Sequence, residues 1–201
     1  MDKSRHTYVE DPPIARALFS DVRFAWIWLI LRVYVGYQWL EAGLEKLGNP
    51  AWTSTGEGLK SYWARAVAVP TAAGAKPPIT YDWYRDFLSG LLNSGSYTWF
   101  AKLVVFGEIA VGIALIVGAF VGIAACFGAF MNLNFMLAGS ASTNPILFLF
   151  AGLFVLAWKT AGFWGLDRFL LPVLRTPWST RRIGLRPAQV KNEGQAVPSG
   201  T

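Results

Sequence analysis

Charged side chains lie inside stretches of this chain long enough to cross a bilayer: Arg32, Glu41 and Glu108, joined by the amides Asn132 and Asn134. A charge at the centre of a membrane costs roughly 3 kcal/mol on insertion scales. A fold that keeps an arginine and two glutamates at such depth has to pair them, hydrate them or use them. The apolar blocks around them run over 24–47, 99–117, 121–137 and 145–165. Each has the length of about 20 residues that a hydrocarbon core of roughly 30 Å requires. The charged fraction of 15% also falls below the roughly 25% usual for soluble domains. The expected class is therefore an all-α membrane protein, a four-transmembrane-helix up-down bundle.

Charge placement predicts its orientation. Lys3, Arg5, Arg16 and Arg23 precede the first block, and Arg168, Arg175, Arg181, Arg182, Arg186 and Lys191 follow the last. The long segment 48–98 carries Lys60, Arg65, Lys76 and Arg85, partly offset by Glu57, Asp82 and Asp86. Excess Lys and Arg marks the cytoplasmic side, so both termini are expected there and segment 48–98 outside. The division is then a cytoplasmic tail 1–20, a membrane domain 21–170 and a basic, partly disordered cytoplasmic tail 171–201. Nothing in the first 20 residues has the form of a cleavable signal, so the first block is expected to act as a signal anchor. The basic tail reads as a topology signal against anionic lipid rather than as a nucleic-acid arm.

Two stretches of the long loop, Glu57 to Val67 and Tyr81 to Leu92, place apolar residues at helical spacing. They are expected to be amphipathic helices capping the bundle from outside. Small residues recur every four positions at Ala110, Ala114 and Gly118, and again at Ala157, Ala161 and Gly165. Such stripes permit close helix contact in lipid. With His6 and Cys126 as the only histidine and cysteine, haem, iron–sulfur and zinc ligation by this chain alone is excluded.

At about 1.5 Å per residue, counted from the cytoplasmic end of each block, Arg32 lies about 12 Å deep, Glu108 about 15 Å and Asn132 about 18 Å. Gln38 and Asn134 come out near 21 Å and Glu41 near 25 Å. Arg32 and Glu108 are thus expected to form an ion pair, closed by Asn132. That cluster is either a staple between helices or a site for a head group or a proton. Tyr34, Gln38, Glu41 and Glu45 share one face of the first helix, and Arg32 lies on roughly the opposite one. Glu41, Glu45, Lys46 and Lys102 are expected to meet near the outer surface. Tyr34, Tyr37 and Trp39 are candidates for packing against a ring.

The first block reads LRVYVGYQWLEAGLEKL from Leu31 to Leu47, and the second contains FGEIAVGIALIVG from Phe106 to Gly118. An early arginine, Ala-Gly followed by Lys46, and Gly-Glu108 with spaced glycines resemble the DoxX family of small four-helix prokaryotic membrane proteins, related to a subunit of thiosulfate:quinone oxidoreductase. The resemblance covers most of 24–170. It implies a multi-pass cell-membrane subunit of a quinone-linked sulfur or thiol redox complex, with one or more partner redox subunits. Arg32 and Glu108 are the candidate catalytic residues, and Tyr34, Gln38, Glu41, Asn132 and Asn134 the candidate quinone or polar pocket. No metal is expected, and quinone is the one cofactor implied. The alternative is a non-catalytic scaffold or anchor for a membrane redox complex; self-association stays open. A small solute carrier fits less well, since no inverted repeat and no break within a block is visible.

Overall fold

The computed structural model describes residues 11–71 and 74–174. Expectations for the tail up to residue 10, His6 included, and for the basic segment after residue 174 lie outside the described residues. Within them the chain is helical, with no strand. The elements are α1 (Pro13–Ser20), α2 (Ala25–Leu47), α3 (Pro50–Thr53), α4 (Glu57–Val67), α5 (Asp82–Asn93), α6 (Tyr97–Val117), α7 (Val121–Leu137), α8 (Asn144–Leu156), α9 (Trp158–Ala161) and α10 (Asp167–Val173). Among the described residues, α6 is the helix both long and apolar enough to cross a membrane; α7 and α8 are apolar but shorter. The 23 residues of α2 are interrupted by Arg32, Glu41, Glu45 and Lys46.

Helices α2, α6, α7 and α8 pack around one another, and the pairing of α2 with α6 is the most extensive. Buried Ala25, Trp28, Arg32, Val35, Gly36, Trp39 and Gly43 fall on one stripe of α2 at the 3.6-residue period. Against it α6 sets Val104, Val105, Glu108, Val111, Gly112 and Leu115. The two helices run antiparallel: Gly36 meets Gly112 and Ile116, whereas Gly43 meets Glu108 and Ile109. Glycines at both sides of the contact let the backbones touch. Of the stripe expected at Ala110, Ala114 and Gly118, Ala110 is exposed, Ala114 packs on the main core and Gly118 meets Gly165 of the second stripe backbone to backbone; the contact with α2 is made by Gly36, Gly43 and Gly112. Trp39 extends from α2 to Gly128 of α7 and fills the middle of the bundle.

The last block is not one helix. Helix α8 stops at Leu156, Ala157 leaves helical geometry, and α9 begins at Trp158. The Thr160 hydroxyl donates to the carbonyl oxygens of Ala157 and Phe19, 3.2 Å each. The bond to Phe19 ties α9 to the end of α1. The expectation of an unbroken fourth block is therefore corrected.

At this end of the bundle the chain clasps itself. Helix α6 ends at Gly118 in the left-handed region (φ 70°), and Ala119 N–H donates back to Ala114 O at 2.9 Å, the arrangement that closes a helix C-terminus. Phe120 is also left-handed (φ 50°), a conformation a bulky residue keeps only when held. Asp167 holds it: its carboxylate accepts from the N–H groups of Phe120 and Val121 at the start of α7. In return, Leu166 and Asp167 N–H donate to Val117 O and Gly118 O at 3.1 and 2.8 Å.

The loop helices form a second core rather than a loose cover. Leu59, Trp63, Ala66, Ile79, Tyr84 and Leu88 pack with Ala101 of α6 and with Ala138, just past the end of α7. Amphipathic α4 and α5 were legible in the sequence to within a residue.

A Cβ on Gly112 would lie 2.6 Å from Leu40 N and 2.9 Å from Gly36 O, backbone atoms that cannot swing aside. Gly112→Val is expected to destabilise the bundle by about 2 kcal/mol or more, the scale of core overpacking. Gly152 has open space around its Cβ position, so Gly152→Ala should raise stability by up to about 1 kcal/mol through helix propensity. Thermal unfolding in detergent checks both.

Candidate functional site

Between the two cores lies a cavity of about 380 Å³ with a polar floor. Helix α2 contributes Gln38, Trp39, Glu41, Glu45 and Lys46; α6 contributes Glu108; α7 contributes Asn132 and Phe135. Trp52 of α3 and Tyr62 of α4 close it from the lid, and Ser140, Thr143 and Asn144 come from the turn into α8. Exposed Glu41, Glu45, Ser142 and Thr143 form its rim.

Glu108 is buried, and its two carboxylate oxygens accept from Lys46 Nζ at 2.9 and 2.8 Å. Lys46 belongs to the last turn of α2, yet its ammonium points back into the cavity. Side chains on a helix lean towards its N-terminus, so Lys46 lies over Ala42, whose carbonyl oxygen is 3.3 Å from Nζ. The Trp52 ring covers the ammonium, with its centroid 5.4 Å away, a cation–π contact. The lysine keeps 22% of its side-chain exposure against 2% for the glutamate.

Asn132 completes the floor and is the least satisfied group in it. It is 0% exposed, and neither its side-chain oxygen nor its nitrogen has a hydrogen-bond partner. A buried amide without partners costs roughly 1–3 kcal/mol. The site therefore presents a donor and an acceptor to whatever fills the cavity, beside an ammonium and a carboxylate. Such a set can bind a carbonyl or hydroxyl oxygen and exchange a proton with it.

The expected pair between Arg32 and Glu108 does not form. Arg32 Nη1 donates to the carbonyl oxygens of Leu115 and Ile116 at 2.6 Å each, and Nη2 to Trp164 O at 2.7 Å. These acceptors lie seven and eight residues beyond Glu108 on α6, about 11 Å along its axis. Counting depth from the start of each block assumed a common floor. Helix α2 in fact begins about two turns below the α6–α7 turn, where Trp28 packs on Phe19 and Phe154 and donates to Leu18 O. Arg32 is thus a tie for a helix end, and Lys46 takes the place assigned to it.

Of the other candidates, Gln38, Trp39, Glu41 and Asn132 line the cavity. Tyr34 and Tyr37 are exposed away from it, at 51% and 55%; the Tyr37 hydroxyl donates to Glu41 at 3.2 Å. Asn134, two residues from Asn132, sits about 200° around the helix and faces a different pocket, where it accepts from the Tyr84 hydroxyl at 3.2 Å. Lys102 is exposed and does not join Lys46. Asp167, Tyr62 and Phe135 escaped the sequence reading as site residues: Asp167 caps a helix 46 residues before it, Tyr62 reads as one apolar position of the amphipathic stretch 57–67, and Phe135 looks like any other aromatic in an apolar block. Among the described residues no cluster of histidine, cysteine, aspartate and glutamate could hold a metal ion.

Lys46→Met leaves the Glu108 carboxylate buried and unpaired, and should cost about 3 kcal/mol, as for other broken buried pairs. Glu108→Gln should cost less, because Lys46 keeps access to water. Melting curves of the two variants and of Lys46→Met/Glu108→Leu, in which most of the loss should be recovered, measure this. No family model matches the chain, and neither a curated protein nor a solved structure is significantly similar to it.

Proposed function

We propose that this protein crosses a prokaryotic cell membrane four times, through α2, α6, α7 and the broken α8–α9 pair, with both termini cytoplasmic. The bundle exterior supports this reading. Ile30, Leu103, Phe106, Ile113, Ile123, Phe127, Leu149 and Leu156 are all exposed, and exposed apolar side chains in such number suit contact with lipid. Exposed tryptophans flank it: Trp26 and Trp164 at the α1 end, Trp83 and Trp99 at the lid. Girdles of this kind sit at the two interfaces of a bilayer.

Within that frame, the polar cavity is a site for a quinone head group, and the chain is a subunit of a quinone-linked sulfur or thiol redox complex. The carrying observation is the unpartnered Asn132 amide beside the Glu108–Lys46 pair, in a chamber walled by Trp39, Trp52, Tyr62 and Phe135. A quinone ring supplies what that chamber lacks: a flat apolar body for the aromatic walls and a carbonyl oxygen for the Asn132 amide or the Lys46 ammonium. Reduction to the quinol takes two electrons and two protons. The electrons would come from the sulfur substrate oxidised on a partner subunit, and Glu108 would pass protons between the ring oxygen and the rim at Glu41 and Glu45. The likeness of the Arg32, Lys46 and Glu108 motifs to DoxX proteins points to the same chemistry.

The test is binding of a short-chain ubiquinone or menaquinone analogue to the full chain in nanodiscs, read by quenching of Trp39 and Trp52 fluorescence. The wild type should bind saturably. Asn132→Leu should weaken binding about tenfold or more, the worth of a hydrogen bond made in a buried site. Glu108→Gln should keep binding but abolish quinone-dependent activity of the assembled complex at unchanged abundance. Wild-type affinity in Asn132→Leu, or full activity in Glu108→Gln, would overturn the assignment.

A further inference from the structure

A second, apolar pocket of about 130 Å³ lies beside the polar cavity, between α4, α5, α6 and α7. Tyr62 and Phe135 line both. Their rings meet edge to face with centroids 6.4 Å apart, so a single layer of side chains separates the two spaces. On the far side, Phe87 and Phe130 also line the pocket and are 51% and 64% exposed. The pocket therefore reaches from the shared aromatic wall to the apolar outer surface of the bundle.

Two of its polar side chains, Tyr84 and Asn134, are already engaged. The Tyr84 hydroxyl donates to Asn134, 3.0 Å to the backbone oxygen and 3.2 Å to Oδ1. Asn134 Nδ2 donates to Phe130 O at 2.8 Å. Burial pushes the Tyr84 phenol up to about 12, so it stays a neutral donor fixed on Asn134. The pocket thus offers mostly apolar walls with Tyr84 and Asn134 engaged with each other, whereas the chamber behind Tyr62 and Phe135 offers the free amide of Asn132. Two adjoining spaces, one polar and one apolar, are complementary to a molecule with a polar ring and an apolar chain.

We infer that this pocket is a side port that holds the first part of the quinone's isoprenoid chain, with Tyr62 and Phe135 as the gate between lipid and head-group chamber. The inference rests on the quinone reading of the polar cavity. A water's share of liquid volume is about 30 Å³, so the pocket takes a short piece of chain, of the order of one isoprene unit, and the remainder lies in the lipid outside Phe87 and Phe130. The Tyr62 hydroxyl latches the gate, reaching Phe135 O at 3.4 Å and hydrogen-bonding with the Ser140 side chain.

The test uses the full chain in liposomes and two photoreactive quinones, one with a diazirine on the first isoprene unit and one with it on the ring. Labelled peptides are identified by mass spectrometry, with and without an excess of unmodified short-chain quinone. The tail probe should label Val104, Met131 or Phe130, and the ring probe Gln38, Trp39 or Asn132, both suppressed by the competitor. Val104→Trp fills the port and should abolish tail labelling there; Met131→Phe serves the same purpose should the first variant fail to fold. Competed ring labelling with the tail probe reacting elsewhere, or unchanged in the filled variants, overturns the port and leaves the head-group site standing. No competed labelling by either probe overturns both.

Discussion

The close antiparallel contact of α2 with α6 governs the rest of the molecule. Gly36, Gly43 and Gly112 bring two backbones together, and that proximity decides which polar groups find partners. At one end of the contact, Arg32 reaches three backbone carbonyls left free where α6 and α9 stop. Near the other, Lys46 folds back onto Glu108. Neither cation could be satisfied by a helix held at the spacing that leucine side chains impose. Charge within the bundle is tolerated because the backbones touch, and the residues at the contact are glycines because the charges need that approach.

The two polar layers are different in kind. Around Arg32 the guanidinium donates to three backbone carbonyls, so the arginine acts as a fastening for helix ends. Around Glu108 there is space, an amide without partners and a rim of exposed carboxylates. Position along α2 separates an arginine fastened to helix ends from an open polar cavity.

The chain announced its helices clearly because apolar period and turn chemistry are local properties. Leu47, Val117, Val121 and Leu137 bound their elements as the sequence implies, and the lid helices α4 and α5 follow from their amphipathic spacing. Relative height was not legible. Nothing in the residues says that α2 starts two turns below the α6–α7 turn, and that offset moved Arg32 away from Glu108. The direction of Lys46 was readable in principle, from the lean of helical side chains towards the N-terminus. The separation of Asn132 from Asn134 follows from 100° per residue. The break at Ala157 and the cap supplied by Asp167 depend on contacts across the fold, which no local pattern encodes.

The clasp between residues 117–121 and 166–167 bears on how the chain is made. Phe120 is held left-handed by a carboxylate that leaves the ribosome 47 residues later, and the free carbonyls of Val117 and Gly118 wait for the same segment. Until then the α6–α7 hairpin can form but cannot lock its turn. Synthesis and final packing are thereby put in order: the turn between the second and third apolar blocks is completed by the segment that follows the fourth. The last part of the described chain is a closing tie for the whole bundle.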